Sequence, residues 1–226
     1  MESVADEKKF LESLAKGIAY IFGTNCEVVI HDLKGQPYEH SIVAIENGGV
    51  TGREVGDCGT NLGLEVIRGT DANGDKYGYL TRTKDGKILR SSSVYIRDAL
   101  HQVVGAVCIN FDATLLLHAE EAIKSLTGDR RNPSALQEHE IEETFPKNVN
   151  ELLETLLRQS ADYVGKPAAL MTKEDKLKGL TFLDEKGALL IKKSGDRIAR
   201  FYGISKYTLY AYLDEIRDTP FSNENF

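Results

Sequence analysis

The chain has 226 residues, 28 of them basic and 35 acidic, for a formal net charge of −7. Apolar residues make up 41% and charged residues 28%, an ordinary globular composition that excludes wholesale disorder and suits two modest domains as well as one large one. If the charge were spread evenly, the acidic balance would also argue against nucleic acid, because phosphate contacts need a basic surface.

The opening stretch, MESVADEKKF, has no basic segment feeding an apolar run, so no secretory signal is expected. Phe10, Leu11, Leu14, Ala15, Ile18, Ala19 and Phe22 recur at helical spacing, and Gly23 is placed to stop that helix. Cys26 to His31 and Ser41 to Ile45 are short β-branched runs between turn residues. Asn61 to Arg68 is a short helical candidate. Tyr77 to Thr83 and Lys87 to Ile96 alternate around Asp85-Gly86, a two-residue hairpin signal. Val103 to Phe111 reads as a buried central strand, too short for the ~20 residues of a membrane span. The simplest solution is α+β, a five-stranded antiparallel sheet with helices packed on one face. This order resembles that of a PAS-type sensor domain, over residues 1–126.

Four of the five prolines follow residue 130, and Thr127 to Pro146 is polar with little apolar periodicity, so 127–147 reads as a linker. From 148 to 226 the pattern is helical. Asn148 with Glu151 and Thr172 with Asp175 are capping pairs, and Val149, Leu152, Leu153, Leu156 and Leu157 mark a core-facing helix. Cys26, Cys58 and Cys108 are an odd, widely spaced set. They fit reduced thiols of a cytoplasmic protein better than a disulfide framework or a zinc site.

The segment Asp196 to Leu213 carries the functional signal. Ala199, Gly203 and Leu209 have the spacing of a helix-turn-helix at about 194–216. A small Ala199 admits the crossing helix, Gly203 takes the positive φ of a sharp turn, and Ser205 caps the second helix, with Ile204 and Leu209 locking the pair. The second helix would present Ser205, Lys206, Tyr207, Thr208 and Tyr210 to the major groove of double-stranded DNA. A plain helical hairpin has the same spacing, but charge separates the two readings. Lys173 to Arg217 holds ten basic and seven acidic residues, a balance of +3 that leaves −10 elsewhere. Lys192, Lys193, Arg197 and Arg200 lie beside the reading helix, where phosphate clamps belong.

Four further stretches are FGTNCEVVIHDL (Phe22 to Leu33), HSIVAIENGGVTGREVGD (His40 to Asp57), YLTRTKDGKILRSSSVYIRD (Tyr79 to Asp98) and VGAVCINFD (Val104 to Asp112). With GALLIKKSGDRIARFYGISKYTLYAYL (Gly187 to Leu213), the chain resembles bacterial transcriptional regulators with a YheO-like PAS domain and a DauR-type C-terminal helix-turn-helix. The resemblance implies a cytoplasmic DNA-binding regulator whose PAS-like domain senses a small molecule. The chain departs from it at GDCGTNLG (Gly56 to Gly63).

Within the sensor domain, six glycines fall in the sixteen residues from Gly48 to Gly63, with Arg53 and Thr60 among them. They are either a cradle for an anionic group or a mobile connection. His31-Asp32 and His40-Ser41 stand at adjoining strand ends, so the two imidazoles would face each other, for ligand contact, pH response or strand-end hydrogen bonding. Arg82 and Arg90 flank the hairpin as a carboxylate-binding pair or as solvated edge charges. Cys58 is a weak redox candidate. No cofactor and no metal site is indicated, and an unidentified small-molecule effector is the expected ligand. A homodimer is expected because such proteins read two half-sites, with the first helix and the leucines of 149–157 as candidate contacts. Two other functions compete: an enzyme using His31, Asp32 or His40 as acid and base, and a protein-interaction adaptor docking through its helical tail.

Overall fold

The structure is a computed structural model that describes residues 1–70, 74–127 and 143–218. Helix α1 (Lys8–Phe22) leads into strands β1 (Cys26–Asp32) and β2 (Ile42–Glu46), helix α2 (Asn61–Arg68), and strands β3 (Lys76–Arg82), β4 (Ile88–Arg97) and β5 (Val103–Asp112). Helix α3 (Thr114–Thr127) follows, and α4 (Val149–Val164), α5 (Lys173–Glu185), α6 (Ser194–Phe201) and α7 (Lys206–Asp218) build the second unit. The strands pair antiparallel in the order β2-β1-β5-β4-β3, so the most apolar strand is the central one. The expected five-stranded sheet and helical tail are both present, but the helices do not share one face: α1 packs on Val28 and Ile30 on one side, and Val66 of α2 packs on Tyr95 and Ala106 on the other. The Asp85-Gly86 hairpin is wider than two residues: the Thr83 amide donates to Lys87 O at 3.0 Å and closes a three-residue turn. Helix α3 was not expected. Its Leu115, Leu116, Ile123 and Leu126 all stay exposed, so no buried stripe marks it in the sequence.

Strand register gives the sheet two unlike faces, because successive side chains point to opposite sides. On the outer face Cys26, Val28 and Ile30 pack against Leu11, Ala15 and Ala19 of α1. On the inner face Glu27 lies opposite Asn110, Asn110 opposite Ser91, and Cys108 opposite Ser93. Three neighbouring strands thus turn polar side chains to one side.

In the second unit, Leu152, Leu153, Leu156, Leu180, Leu183, Ile198, Leu209 and Leu213 share one core, which also takes in Leu64 of α2. At the start of α4, Asn148 Oδ1 accepts from the Glu151 amide at 3.0 Å, while the Glu151 carboxylate accepts from Lys147 N. Thr172 and Asp175 complete a reciprocal capping box on α5. The helical unit docks on α2 through Lys186 Nζ to Glu65 Oε1 at 3.0 Å and Thr70 Oγ1 to Glu185 O at 2.7 Å.

Of the stretch read as a linker, 128–142 lies outside the described residues. Its end does not stand clear of the domains: Glu143, Phe145 and Pro146 are buried. None of the described helices is long and apolar enough to cross a membrane.

Candidate functional site

Helices α6 and α7 form a tight helix-turn-helix. Ile198, Ala199, Leu209 and Leu213 are buried between them and the rest of the helical core, and Gly203 turns the chain at φ +62°. Ile204 packs on the rim of the same core. The Ser205 hydroxyl accepts from the Thr208 amide at 3.0 Å and bonds Thr208 Oγ1 at 2.8 Å, so both side chains serve the cap of α7. Tyr202 anchors α6: its hydroxyl meets Ser160 Oγ at 2.8 Å and lies against Gly179 on α5.

With the apolar residues turned inward, α7 presents Lys206, Tyr207 and Tyr210 outward, and Tyr207 is 86% exposed. Lys192, Lys193 and Arg200 are exposed around them, and Lys193 sits at φ +62° just before α6. Two of the basic residues hold partners within the chain. Lys206 Nζ stands 2.9 Å from Asp196 Oδ1, while Arg197 pairs with Glu154 and donates to Asn150 Oδ1 at 2.6 Å. Such exposed pairs are weak and readily exchanged for phosphate.

The inner face of the sheet is the second constellation. Glu27 and Arg53, both buried, form an ion pair at 2.7 Å. Around it, Asn110 Nδ2 donates to Glu27 Oε1 at 2.8 Å, Thr51 Oγ1 donates to Glu27 Oε2 at 2.6 Å, and Arg53 Nε donates to Thr51 Oγ1 at 2.9 Å. Ser91 Oγ donates to Asn110 Oδ1 at 2.8 Å. Beyond it, Tyr79 Oη contacts Ser93 Oγ at 3.0 Å and donates to Glu143 Oε2 at 2.9 Å. Burial holds the Glu143 carboxyl above the ordinary carboxylate range, opposed by hydrogen bonds from Thr60 and Tyr79. The Phe145 ring lies over the Arg53 guanidinium, 5.1 Å from its centroid.

The proposed ligand residues divide. Arg53 is at the centre of this cluster, and His31 borders it. His31 is buried with its Nδ1 3.1 Å from Ser41 Oγ, and burial, with Arg53 nearby, lowers its pKa to about 3. His40 does not face His31. It is exposed in a 3-10 turn with its Nδ1 2.7 Å from Gly56 O. At the register shift after Ile30, which skips Val43 of β2, His31 stands opposite Ile42, while His40 lies before β2 and outside the pairing. Asp32 is occupied by the β1–β2 turn, accepting from Gly35 N at 2.7 Å and Lys34 N at 3.2 Å. The acid–base set His31, Asp32 and His40 is therefore not assembled. Arg82 and Arg90 occupy the register alternate to Tyr79 and Thr81, both exposed, and neither joins the buried cluster.

The glycine-rich segment is neither a cradle nor a slack connection at its second half. A Cβ at Gly59 or Gly63 would stand 2.4 or 2.6 Å from Tyr38 Oη, which donates to Thr60 O at 2.5 Å. The glycines there make room for Tyr38. Cys58 is not a poised redox thiol either: it is fully buried, and burial pushes its pKa up to about 12. Among the described residues no group of three or more His, Cys, Asp or Glu is arranged to hold a metal ion.

Sequence reasoning missed Glu27, Tyr79, Ser91, Ser93, Asn110, Glu143 and Phe145. A signal existed for some: Glu27 and Asn110 are polar residues on the inner register of the two central strands. Glu143 and Phe145 carry none, because they belong to no regular element.

Comparison with known proteins agrees with both halves. The YheO-like PAS domain matches residues 3–128, and an HTH domain matches residues 152–214. The chain is 26% identical over 206 residues to an uncharacterized protein of Haemophilus influenzae, covering 91% of this chain and 89% of that one. It is 27% identical over 223 residues to the uncharacterized protein YheO of Escherichia coli K12, covering 97% and 89%. It is 29% identical over 210 residues to the transcriptional regulator DauR of Pseudomonas aeruginosa, covering 91% and 92%. With a β2-β1-β5-β4-β3 antiparallel sheet joined to a glycine-turned pair of helices, the chain belongs to the family that couples a YheO-like PAS domain to a C-terminal helix-turn-helix.

Proposed function

We propose that the protein is a DNA-binding transcriptional regulator acting as a homodimer, with the PAS-like domain as its small-molecule sensor. The observation that carries this reading is the outward display of Lys206, Tyr207 and Tyr210 on a helix whose opposite face, Leu209 and Leu213, is locked in the core. In it, α7 enters the major groove and Lys192, Lys193, Arg197 and Arg200 clamp phosphates on either side. The kinship with DauR, named a transcriptional regulator, supports the same role. The leucines of α4 are spent on the domain's own core, so the proposed dimer contact falls to the exposed apolar side chains of α1 (Phe10, Tyr20, Ile21, Phe22) together with those of α3 (Leu115, Leu116, Ile123, Leu126). The sensing role draws its support from the buried polar inner face, since a sheet interior lined by Glu27, Arg53, Ser91, Ser93 and Asn110 is built for polar recognition rather than for packing alone.

Gel shift and analytical ultracentrifugation with the full chain and its own upstream DNA test the reading. Salt-dependent binding by a dimer is expected. Absence of binding at low salt, with and without candidate metabolites, would overturn it.

A further inference from the structure

The inner face of the sheet is already filled, and what fills it is a piece of this chain. Glu143 to Pro146 crosses it without helix or strand structure. Glu143 bonds Tyr79, the Thr144 amide donates to Asn61 Oδ1 at 2.8 Å, Phe145 covers Arg53, and the Cys58 thiol donates to Pro146 O at 3.7 Å. The segment is held by side-chain contacts alone, with no ladder or helix bond of its own, so it can leave without breaking a regular element.

Yet the segment leaves one strong donor unanswered. Arg53 is 4% exposed; its Nε and Nη2 are taken by Thr51 and Glu27, but its Nη1 has no hydrogen-bond partner among the described residues. A buried cationic donor without an acceptor is costly, and a carboxylate is its natural complement. The Glu143 carboxyl lies near enough to feel the charge of Arg53 but bonds Tyr79 instead. Beside the segment, a cleft of about 340 Å³ bordered by Thr51, Gly52, Arg82, Lys87 and Phe145 opens to solvent.

We infer that Glu143–Pro146 is a built-in competitor: the inner face takes a small carboxylate carrying an apolar body, which bonds Arg53 Nη1 and displaces the segment. Glu143 and Phe145 stand in for the two parts of that molecule, one acidic and one aromatic. Displacement reaches the DNA-binding domain directly. Lys147 follows the segment, its amide bonds the Glu151 carboxylate at 3.0 Å, and Asn148 caps α4. Glu151 in turn pairs with Lys84 of the β3–β4 hairpin. Removing the segment therefore takes away the covalent lead-in that ties the first turn of α4 to the inner face and leaves the Lys84–Glu151 pair as the remaining link there. This inference rests on the sensing role proposed above and gives it a ligand class and a route.

The test uses the full chain, with 3-phenylpropionate and its uncharged analogue 3-phenylpropionamide as probes. Titration calorimetry compares the wild type with Glu143→Ser/Phe145→Ala. Competition predicts that the carboxylate binds the double variant about tenfold or more tightly than it binds the wild type, because the competent state no longer has to be opened. The amide should bind neither. Hydrogen exchange on the wild type supplies a second readout that needs no variant: 3-phenylpropionate should speed exchange of the amides from 143 to 148. Weaker or equal binding by the double variant, equal binding of the amide, or unchanged exchange on carboxylate binding would each overturn the inference. So would absence of carboxylate binding to both proteins. The sensing role fails separately: it survives if any uncharged metabolite changes DNA affinity while residues 143–148 stay protected.

Discussion

Asp184 on α5 holds Arg68 of α2 in a two-point contact: Arg68 Nη2 meets its carboxylate at 2.6 Å, and Arg68 Nε donates to its backbone carbonyl at 3.1 Å. The same carboxylate accepts from Arg217 of α7 at 3.1 Å. One residue thereby ties the sensor domain, through the helical core, to the proposed DNA-reading helix. Arg68→Ala should cost about 1 kcal/mol, a modest figure because the arginine is partly exposed while Asp184 keeps Arg217. Calorimetry should show one transition for the wild type and separate transitions for the two domains in the variant. A single, unshifted transition would show that the pair does not couple them.

The DNA-reading surface separates affinity from folding. Lys206→Ala/Tyr207→Ala should lower specific operator affinity by about tenfold or more. The melting temperature should stay where it is, since neither side chain enters the core. Arg200→Ala should instead weaken binding to all sequences alike and reduce the salt slope by about 1. Fluorescence anisotropy at several salt concentrations distinguishes the two. Sequence-dependent loss on Arg200→Ala would reassign that residue from phosphate to base.

Gly179 and Tyr202 should behave as a coupled pair. A Cβ at Gly179 would stand 2.3 Å from the Tyr202 hydroxyl, itself buried against Ser160. Gly179→Ala should destabilise the protein by about 2 kcal/mol, the usual cost of overpacking. Removing the hydroxyl relieves the clash, and Ser160 still donates to Leu157 O at 2.7 Å. Gly179→Ala/Tyr202→Phe should therefore be more stable than Gly179→Ala alone in urea denaturation. A double variant as unstable as the sum of the singles would place the strain elsewhere.

His31 should make stability fall with acid. Its folded pKa is lowered to about 3 from an ordinary 6.5, so below pH 6.5 the unfolded chain takes up a proton that the folded chain refuses. Stability is full above pH 6.5 and declines as pH drops toward 3, by up to about 1.4 kcal/mol per pH unit from this group. Glutamine at this position keeps a partner for Ser41 but does not titrate. The stability of wild type minus that of His31→Gln should therefore decrease between pH 6.5 and 5. A flat difference across that window would mean that His31 is solvated and free to protonate.

The alternation of β3 and β4, the apolar run of β5 and the helical spacing before Gly23 are local patterns, and each became the element it implied. The same holds for Ala199, Gly203 and Leu209, whose roles are settled within twenty residues of chain. His31 and His40 do not pair because His40 lies in the 3-10 turn before β2, outside the strand pairing that sets His31 opposite Ile42. Gly59 before α2 and Gly63 within it show no local reason for being glycine, because the ring they admit, Tyr38, belongs to a different turn of the chain.

Acidic as it is overall, the chain declares a basic helix-turn-helix tail by itself, because the charge, the turn glycine and the capping serine are neighbours in sequence. Only the tertiary structure decides that Glu27, Arg53, Tyr79 and Asn110 meet, and that Glu143 and Phe145 come back to cover them. Strand pairing brings residues more than eighty positions apart into one buried network, and no local period records which polar side chains share a face.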